Sequence, residues 1–534
     1  MRTCRKDSYL LTFSLILELP VTAAFNPALR IKTLEYELSR AQLIIQSLQE
    51  QLRLQRIQFL GPRSETLSSL QLELLTEEEP GVTFDEVQAE ANREPLKNIP
   101  PQERKRKPHP GRQRLPDHLP RVETVIPCAT THCTACGEET TVIGYDESEL
   151  LDTEPVHYFV RVTKREKRAC TCCQQGTVTM PELEPRIIDK GLASDRIVVG
   201  TVIAKYCDHL PLYRQAAMLE REAGLEIGRA TLDGWVMRVG EMLEPVVAAM
   251  RKDLLCATYL QADETTVPVQ MRDKRGADHQ AYFWQYGKPG GETVFDFCMG
   301  RERESPAKFL LNWEGILQTD GYKAYDKIGG PKLVNVGCWS HARRYFVDAV
   351  KVNKNDGEAV KMVTRMDAVF AVDREAREKQ MTAEERLALR RELSDPWVDE
   401  IHRECLALRE KTLPKSALGK AVRYTLNQWK KLKRCLEYAE VELSNNLAEN
   451  SMRPIALGRK NWLHVGSVKS GPKVAAILSV VESCRRLGVS AREYLLDVLP
   501  GMLERKMSEI AQLTPARWTE ARRSLSPGLV VRLR

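Results

Sequence analysis

The sequence has few aromatic residues, a small net charge and, after its N-terminal stretch, no long apolar run. Aromatic residues make up 6% of its 534 positions, and the excess of cations is small, because 80 Lys and Arg residues face 73 Asp and Glu residues and leave +7. After the N-terminal stretch, no segment reaches the roughly 18 uninterrupted apolar residues of a membrane-spanning helix. A polytopic membrane protein is therefore excluded, and a nucleic-acid partner has to be sought in local clusters of charge.

The bulk composition is that of a large globular protein. Hydrophobic residues at 43% and charged residues at 29% exclude wholesale disorder, and the length predicts about three to four domains. The fourteen cysteines are dense only between Cys128 and Cys173, which favours a reducing, cytoplasmic location over a disulfide scaffold. Residues 1–30 have the outline of a signal peptide, although a misplaced start codon would produce the same pattern.

Two segments with different periodicity follow this N-terminal extension. From Ile31 to Phe59, apolar residues recur every three or four positions with one polar break at Gln55, which predicts a coiled coil over residues 31–60 and hence a homo-oligomer. A lone amphipathic helix would show a wider apolar stripe. Residues 61–121 are rich in proline and contain the basic run 104–107, which indicates a linker whose cations are either solvated or in contact with phosphate.

Residues 122–185 contain two Cys-x-x-Cys pairs, Cys133 with Cys136 and Cys170 with Cys173. Four thiolates in two such pairs close a tetrahedral shell around Zn²⁺, and a strand-like segment separates the pairs. The pattern predicts a zinc ribbon, and the alternative is a set of unligated core thiols.

Residues 186–255 are predicted to be helical. Within them, Leu210 to Glu222 and Arg229 to Val239 form two helices around a turn at Gly224, an outline typical of a helix-turn-helix. Arg229 and Thr231 begin the second helix and are the predicted DNA-binding residues there. Two helices joined through a glycine are equally typical of ordinary core packing.

From residue 256 the periodicity changes to strands, which marks the first part of a core, 256–352. Three strands in a meander are followed by helix, strand, helix, strand and a long helix, the order of a ribonuclease-H-like α/β fold with a mixed sheet. The predicted strands are 259–270, 280–286, 292–298, 315–319 and 332–336, and the predicted helices are 305–313, about 322–327 and one starting at 341. A charged helical insertion over 353–440 separates this part from a second part, 441–500, and a helical tail, 501–534.

Carboxylates lie where this fold would place the ligands of divalent cations. Asp263 is near the middle of the first strand, and Asp320 ends the fourth, its neighbour in the fold. A pair of Mg²⁺ ions needs a third acid, and the best candidate is Glu449, in an early turn of a helix that Asn445 and Asn446 are expected to cap. The rival acids are Glu264, Glu440 and Glu442.

Several motifs of the sequence together resemble those of a known protein family. Six strings carry the resemblance: QADET at 261–265, TDGY at 319–322, GCWSHARR at 337–344, the segment 445–466 with GRKNWL at 458–463, GLAS at 191–194 and HLPLYR at 209–214. They resemble the bacterial transposases of the insertion-sequence-66 family, over about residues 31 to 515 and in the same domain order. The whole is then a multidomain α+β protein with coiled coil, zinc ribbon, helical DNA-binding domain and a split ribonuclease-H-like core.

The resemblance implies a DDE-type transposase in which Asp263, Asp320 and Glu449 match the acidic triad. It implies Mg²⁺ or Mn²⁺ at the triad, Zn²⁺ in the ribbon, cleavage at terminal inverted repeats and joining of the 3′ ends to target DNA. Its expected partners are DNA, a second copy of the chain and small accessory proteins, with no membrane, in the nucleoid of the bacterial cytoplasm.

Other residues qualify this interpretation. The pair Cys338-x-x-His341 resembles a motif of such enzymes and is interpreted as structural support, because two ligands do not close a zinc shell. The chain departs from the family pattern at Ser444, Asn450 and His464, so the alternatives are a DNA-binding protein with a decayed core and a nuclease that does not join ends. The candidate phosphate contacts near the triad are Arg343, Arg344, Arg453, Arg459 and Lys460, and the alternative for them is a solvated helix face.

Overall fold

The computed structural model describes residues 184–525 apart from 190, 192 and 272–277, together with 34, 35, 38, 42, 45, 48, 49, 52 and 158–160. The predicted linker and the four ribbon cysteines, Cys133, Cys136, Cys170 and Cys173, lie outside the described residues. The described positions between 34 and 52 are helical, and Leu38 and Leu52 among them are about three-fifths exposed. Among the residues with a described position, no helix is long and apolar enough to cross a membrane.

The chain divides into two units, one formed by residues 1–77, 186–210 and 235–534 and the other by 78–185 and 211–234. In the second unit, helix α2 (Leu212–Ala223) ends at Gly224, whose φ of +63° and backbone hydrogen bond to Glu220 form a left-handed helix cap. Helix α3 (Arg229–Leu254) starts in this unit. The turn at Gly224 is therefore confirmed.

Helix α3 does not end near Val239, as the sequence analysis expected. It continues to Leu254 in the first unit because Val246, Met250 and Leu254 place buried apolar side chains along one face at steps of four residues. Helix α1 (Asp195–Tyr206) precedes it in the same unit.

The centre of the first unit is a five-stranded sheet in the order β3-β2-β1-β4-β5. Strand β1 pairs antiparallel with β2, and β2 with β3, whereas β1 with β4 and β4 with β5 are parallel, so the sheet is mixed as predicted. The elements are β1 (Tyr259–Val269), β2 (His279–Gly287), β3 (Thr293–Cys298), α4 (Glu304–Leu310), β4 (Ile316–Gln318), a 3₁₀ turn (Lys323–Tyr325), β5 (Val334–Val336) and α5 (Trp339–Val352).

Both faces of the sheet are covered. Consecutive side chains of β2, Phe283 and Trp284, point to opposite faces and are both fully buried. One cover comes from helix α11 (Ser470–Leu487), where the hydroxyls of Ser479 and Ser483 accept hydrogen bonds from backbone N–H groups of β3. Burial of β2 on both faces explains why apolar and aromatic residues follow one another in this strand.

The predicted insertion consists of helices. They are α6 (Gly357–Glu378), α7 (Ala383–Leu389), α8 (Asp395–Lys411) and α9 (Ala417–Lys433), with a π-helical turn at Arg390–Ser394 and a 3₁₀ turn at Arg434–Leu436. Met362, Ile401 and Val422 from this insertion pack in one hydrophobic cluster with Trp339 of α5 and Val336 of β5. The insertion therefore shares its core with one edge of the sheet.

The chain then returns to the central strand. Helix α10 (Asn446–Trp462) packs beside β1, and Val465 after it forms backbone hydrogen bonds with Pro268 and Gln270. The remaining helices are α11, α12 (Ala491–Val498), α13 (Met507–Ile510) and α14 (Pro515–Leu525).

Candidate active site

The two aspartates lie at equivalent positions of neighbouring parallel strands. Gln261 of β1 is in register with Gln318 of β4, and Asp263 and Asp320 each follow that pair by two residues. Because the strands run in the same direction, Asp263 and Asp320 lie at matching levels along the two strands, although β1 continues beyond Asp263. The geometry expected for the two aspartates is present.

Glutamine side chains of the same two strands form hydrogen bonds with the segment that leads to Glu449. Gln261 donates from Nε2 to the carbonyl of Ser444 at 3.1 Å, and Gln318 donates from Nε2 to the carbonyl of Glu442 at 2.6 Å. These bonds place the start of α10 against the strand edge. Nothing in the sequence pattern distinguished either glutamine, because both alternate with apolar residues like any polar position of a strand.

Asn445 has a different role from the one expected. It occupies the N-cap position of α10, but its side chain forms no capping bond. Its Nδ2 instead donates to the carbonyl of Ala262 at 3.0 Å, one residue before Asp263. The buried asparagine therefore connects the helix of Glu449 to the strand of Asp263, a connection that only the tertiary fold creates.

The pKa of the Asp263 carboxyl responds to burial and to the charges of other acids. Burial raises the pKa of its carboxyl well above the usual range, and the negative charges of Glu264, Asp320 and Glu449 raise that pKa further. The hydrogen bond that it accepts from the backbone N–H of Glu264 at 2.9 Å opposes this shift. A group of carboxylates that repel one another in this way provides oxygen ligands for a hard divalent cation.

The rival acids are engaged elsewhere. Glu264 accepts hydrogen bonds from Arg301 at 2.5 and 3.0 Å and from the Tyr325 hydroxyl at 2.9 Å. Glu442 pairs with Arg377 and Arg386, and Glu440 is exposed.

Glu449, by contrast, lies 3.2 Å from Arg344 Nη2 and 3.5 Å from His341 Nδ1, both on α5. Cys338 is the residue before α5 and is fully buried. The ligand atoms of Cys338, His341 and Glu449 all lie within 4.8 Å of one another. The structure thus brings the Cys-x-x-His pair to the third acid of the predicted triad.

The loop after Asp320 is held by the insertion. Tyr424 of α9 donates its hydroxyl hydrogen to the carbonyl of Asp320 at 2.6 Å, and Gln428 donates to the carbonyl of Gly321 at 3.4 Å. Gly321 has a φ of +89°, and a Cβ atom there would come within 2.6 Å of the Gln428 side chain. These contacts could not be predicted from the sequence, because Tyr424 lies about a hundred positions from Asp320 on a helix rich in polar residues.

Three of the predicted phosphate contacts form bonds inside the protein. Arg343 pairs with Asp367 through two hydrogen bonds of 2.6 and 3.2 Å, and Arg344 pairs with Glu449. Arg459 donates to the hydroxyls of Thr265 and Thr266 on β1. Phosphate would have to compete with these internal partners.

The other predicted contacts are exposed. Arg453 and Lys460 of α10 form no hydrogen bond or ion pair with any residue that the structure describes, and Arg453 lines a cavity of about 780 Å³. In the second unit, Arg229 and Thr231 are exposed in the first turn of α3.

Comparison with known proteins gives the family. A family model described as "Transposase IS66 family" matches residues 190–472, more than half of the chain. Two further models match outside that range, "zinc-finger binding domain of transposase IS66" over 130–174 and "Transposase C of IS166 homeodomain" over 47–124. The chain belongs to the IS66 transposase family, and the resemblance inferred from its motifs is confirmed.

Similar proteins from Sinorhizobium fredii carry no described function. The "Uncharacterized protein y4hP" is 31% identical over 90% of this chain and 89% of its own length, and the "Uncharacterized protein y4qI" is 30% identical over 95% of each chain. Membership of a transposase family implies DNA binding. The zinc-finger match contains all four ribbon cysteines and indicates Zn²⁺.

Proposed function

We propose that this protein is a DDE-type transposase that cleaves DNA at the terminal inverted repeats of its own element and joins the 3′ ends to target DNA. The observation that carries this proposal is the convergence of Asp263, Asp320 and Glu449 from β1, the end of β4 and the first turn of α10, close enough for their charges to raise the pKa of Asp263. The order of the five strands supports a ribonuclease-H-like core beneath them.

The donor set fits magnesium or manganese. Three carboxylates from three elements offer oxygen ligands, and their mutual repulsion is relieved when a cation lies among them. Bound there, a pair of divalent cations would supply an activated water and charge neutralisation at the leaving oxygen. The protein's own residues hold that arrangement: Tyr424 fixes the Asp320 loop, and Asn445 ties the Glu449 helix to β1.

The rest of the chain would hold the DNA. We assign the exposed cations Arg453 and Lys460 to the phosphates near the triad, and Arg229 and Thr231 to DNA contacts made by the second unit. The zinc ribbon and the helical N-terminal segment would grip the repeat and pair two copies of the chain, and small accessory proteins would be further partners. Joining two DNA ends requires such an assembly.

The experiment is a cleavage and strand-transfer assay on labelled DNA that carries the terminal repeat, with Mg²⁺ or Mn²⁺, comparing the native chain with Asp263→Ala. Joined products that disappear in the variant support the proposal. Cleavage without joining would favour the nuclease, and binding without cleavage would favour a decayed core, to which the departures at Ser444 and Asn450 point. Retained cleavage in Glu449→Ala would move the third ligand to Glu440 or Glu442.

A further inference from the structure

A second group of potential metal ligands shares Glu449 with the three acids, and its other two members are a thiol and an imidazole. Cys338 and His341 are one helical turn apart at the start of α5, and Glu449 faces them from the first turn of α10. Their ligand atoms all lie within 4.8 Å of one another, with 3.5 Å between His341 Nδ1 and Glu449 Oε1. A thiol, an imidazole and a carboxylate together are not the ligands that Mg²⁺ prefers.

The separation of 3.5 Å between His341 Nδ1 and Glu449 Oε1 fits one edge of a tetrahedral transition-metal shell. With metal–ligand bonds of the usual zinc lengths, neighbouring ligand atoms lie about 3.4 to 3.6 Å apart, so the observed Nδ1 to Oε1 separation already matches. We propose that Cys338, His341 and Glu449 bind one zinc-class transition-metal ion and leave its fourth position open. The Cys-x-x-His pair alone supplies two ligands, and the third comes from a residue more than a hundred positions later.

The surroundings of the site are already ordered. The backbone N–H of Asn445 points at Cys338 Sγ at 3.2 Å, and the backbone N–H of Trp339 donates to the carbonyl of Leu443 at 2.9 Å. These bonds hold the Cys338 turn against the segment that leads to Glu449. An outer layer of hydrogen bonds of this kind is what orients the ligands of metal sites in proteins.

Arg344 contacts the other polar atom of each of the two side chains. It contacts Glu449 through Oε2 at 3.2 Å and His341 through Nε2 at 3.4 Å, whereas the proposed ion uses Oε1 and Nδ1. Binding through Nδ1 would put the ring proton on Nε2, so Arg344 Nη1 would turn away from the ring while Arg344 Nη2 keeps its contact with Oε2. Because Glu449 is also the proposed third acid of the triad, it would bridge the two sites, with Oε1 on this ion and Oε2 available to both Arg344 and the triad cation.

The test is metal content and cobalt spectroscopy on the full-length protein without DNA. After dialysis against zinc, mass spectrometry should find one equivalent fewer per chain in His341→Gln and in Cys338→Ser than in the native protein. With Co²⁺ in place of zinc, the same variants should lose part of the thiolate-to-cobalt absorption. Because the difference is taken between chains with an intact ribbon, the metal bound by the ribbon cancels.

The matched control is Cys435→Ser, which removes another fully buried thiol, one that belongs to no group of potential ligands among the described residues. It should keep every equivalent. Circular dichroism identifies a variant that fails to fold, and the partly exposed His341 is the safer of the two ligand positions. Equal metal content in native protein, folded His341→Gln and Cys435→Ser would overturn the proposal. The outcome does not depend on DNA cleavage, because no DNA is present.

Discussion

Two groups of carboxylates withdrawn from solvent lie in the first unit, and they differ in what neutralises them. One is the triad Asp263, Asp320 and Glu449. The other is an insertion charge cluster, defined by Asp373, Arg377, Arg386, Arg390 and Glu442.

In the insertion charge cluster, the protein supplies its own cations. Arg390 is 1% exposed, pairs with Asp373 and donates to the carbonyl of Val441 at 2.7 Å. Arg377 connects Asp373 to Glu442. Around Asp263, by contrast, the largest charge effects come from other acids and raise its pKa. The comparison teaches that arginines neutralise the insertion charge cluster, whereas Asp263 is surrounded mainly by other acids, the arrangement that we propose for a cation ligand.

The largest effect is expected when one aspartate of each group, Asp263 or Asp373, is replaced by asparagine. Asp263→Asn keeps the shape of the side chain but removes a ligand, so strand cleavage should fall by at least about 10³-fold. Its thermal stability in the absence of metal should not fall, because one of several repelling charges is removed. Gel assays of labelled repeat DNA and thermal unfolding measure the two quantities.

Asp373→Asn is the matched control and should behave in the opposite way. It leaves buried Arg390 without its partner, so it should lower stability while the folded fraction keeps its specific cleavage activity. If both variants lost stability equally, or if both lost cleavage in the folded state, the distinction between the two groups would fail.

A second prediction concerns the buried cation itself. Arg390→Met should lower the free energy of unfolding by about 3–5 kcal/mol, because it leaves Asp373 with only the more exposed Arg377 and removes the bond to Val441. Urea unfolding followed by circular dichroism measures it. The control Arg409→Met removes an arginine whose pair with Glu410 is largely exposed and should change stability by less than about 1 kcal/mol. Similar losses in both variants would contradict the structural role of the cluster.

A third prediction is the pH dependence of the metal-free protein. The pKa of Asp263 is raised in the folded state, so folding favours its protonated form, and stability is lost as pH rises from the unfolded pKa through the folded pKa. Each pKa unit of this shift corresponds to about 1.4 kcal/mol. Added Mg²⁺ should restore stability above that window, by about 2.7 kcal/mol at a hundredfold excess over its dissociation constant.

The check is the melting temperature measured against pH with and without Mg²⁺. Asp263→Asn removes the titrating group and should flatten both dependences. An equal response to Mg²⁺ in the native protein and in this variant would place the cation away from Asp263.

The smallest effect is expected at the contact between the insertion and the Asp320 loop. Tyr424→Phe removes the 2.6 Å hydrogen bond to the Asp320 carbonyl, worth about 1 kcal/mol, so cleavage should slow about 5-fold and should need more Mg²⁺ for half-maximal rate. Tyr438→Phe is the control, because the Tyr438 hydroxyl forms no hydrogen bond with the described part of the chain. A rate loss that is independent of Mg²⁺ concentration would assign Tyr424 to packing rather than to positioning of the loop.

Much of the central sheet could be predicted from the sequence. Each predicted strand is present within about two residues of its expected ends, because residues such as Phe283 and Val294 give a strand period and turns bound each segment. Asp263 and Asp320 could be placed because Asp263 lies within the first predicted strand and Asp320 ends the fourth. Helix α3 was predicted too short, although Val246, Met250 and Leu254 continue its buried apolar face at steps of four residues.

The sequence by itself determined the family, the order of the elements and the two aspartates, because motifs, periodicity and turns are local properties of the chain. Only the tertiary structure decided that the charge of Glu449 raises the pKa of Asp263, that Arg343 and Arg459 have internal partners, and that Cys338 and His341 face Glu449. These contacts join residues about twenty to two hundred positions apart. They depend on the packing of α10 and the insertion against the sheet, which no local pattern encodes.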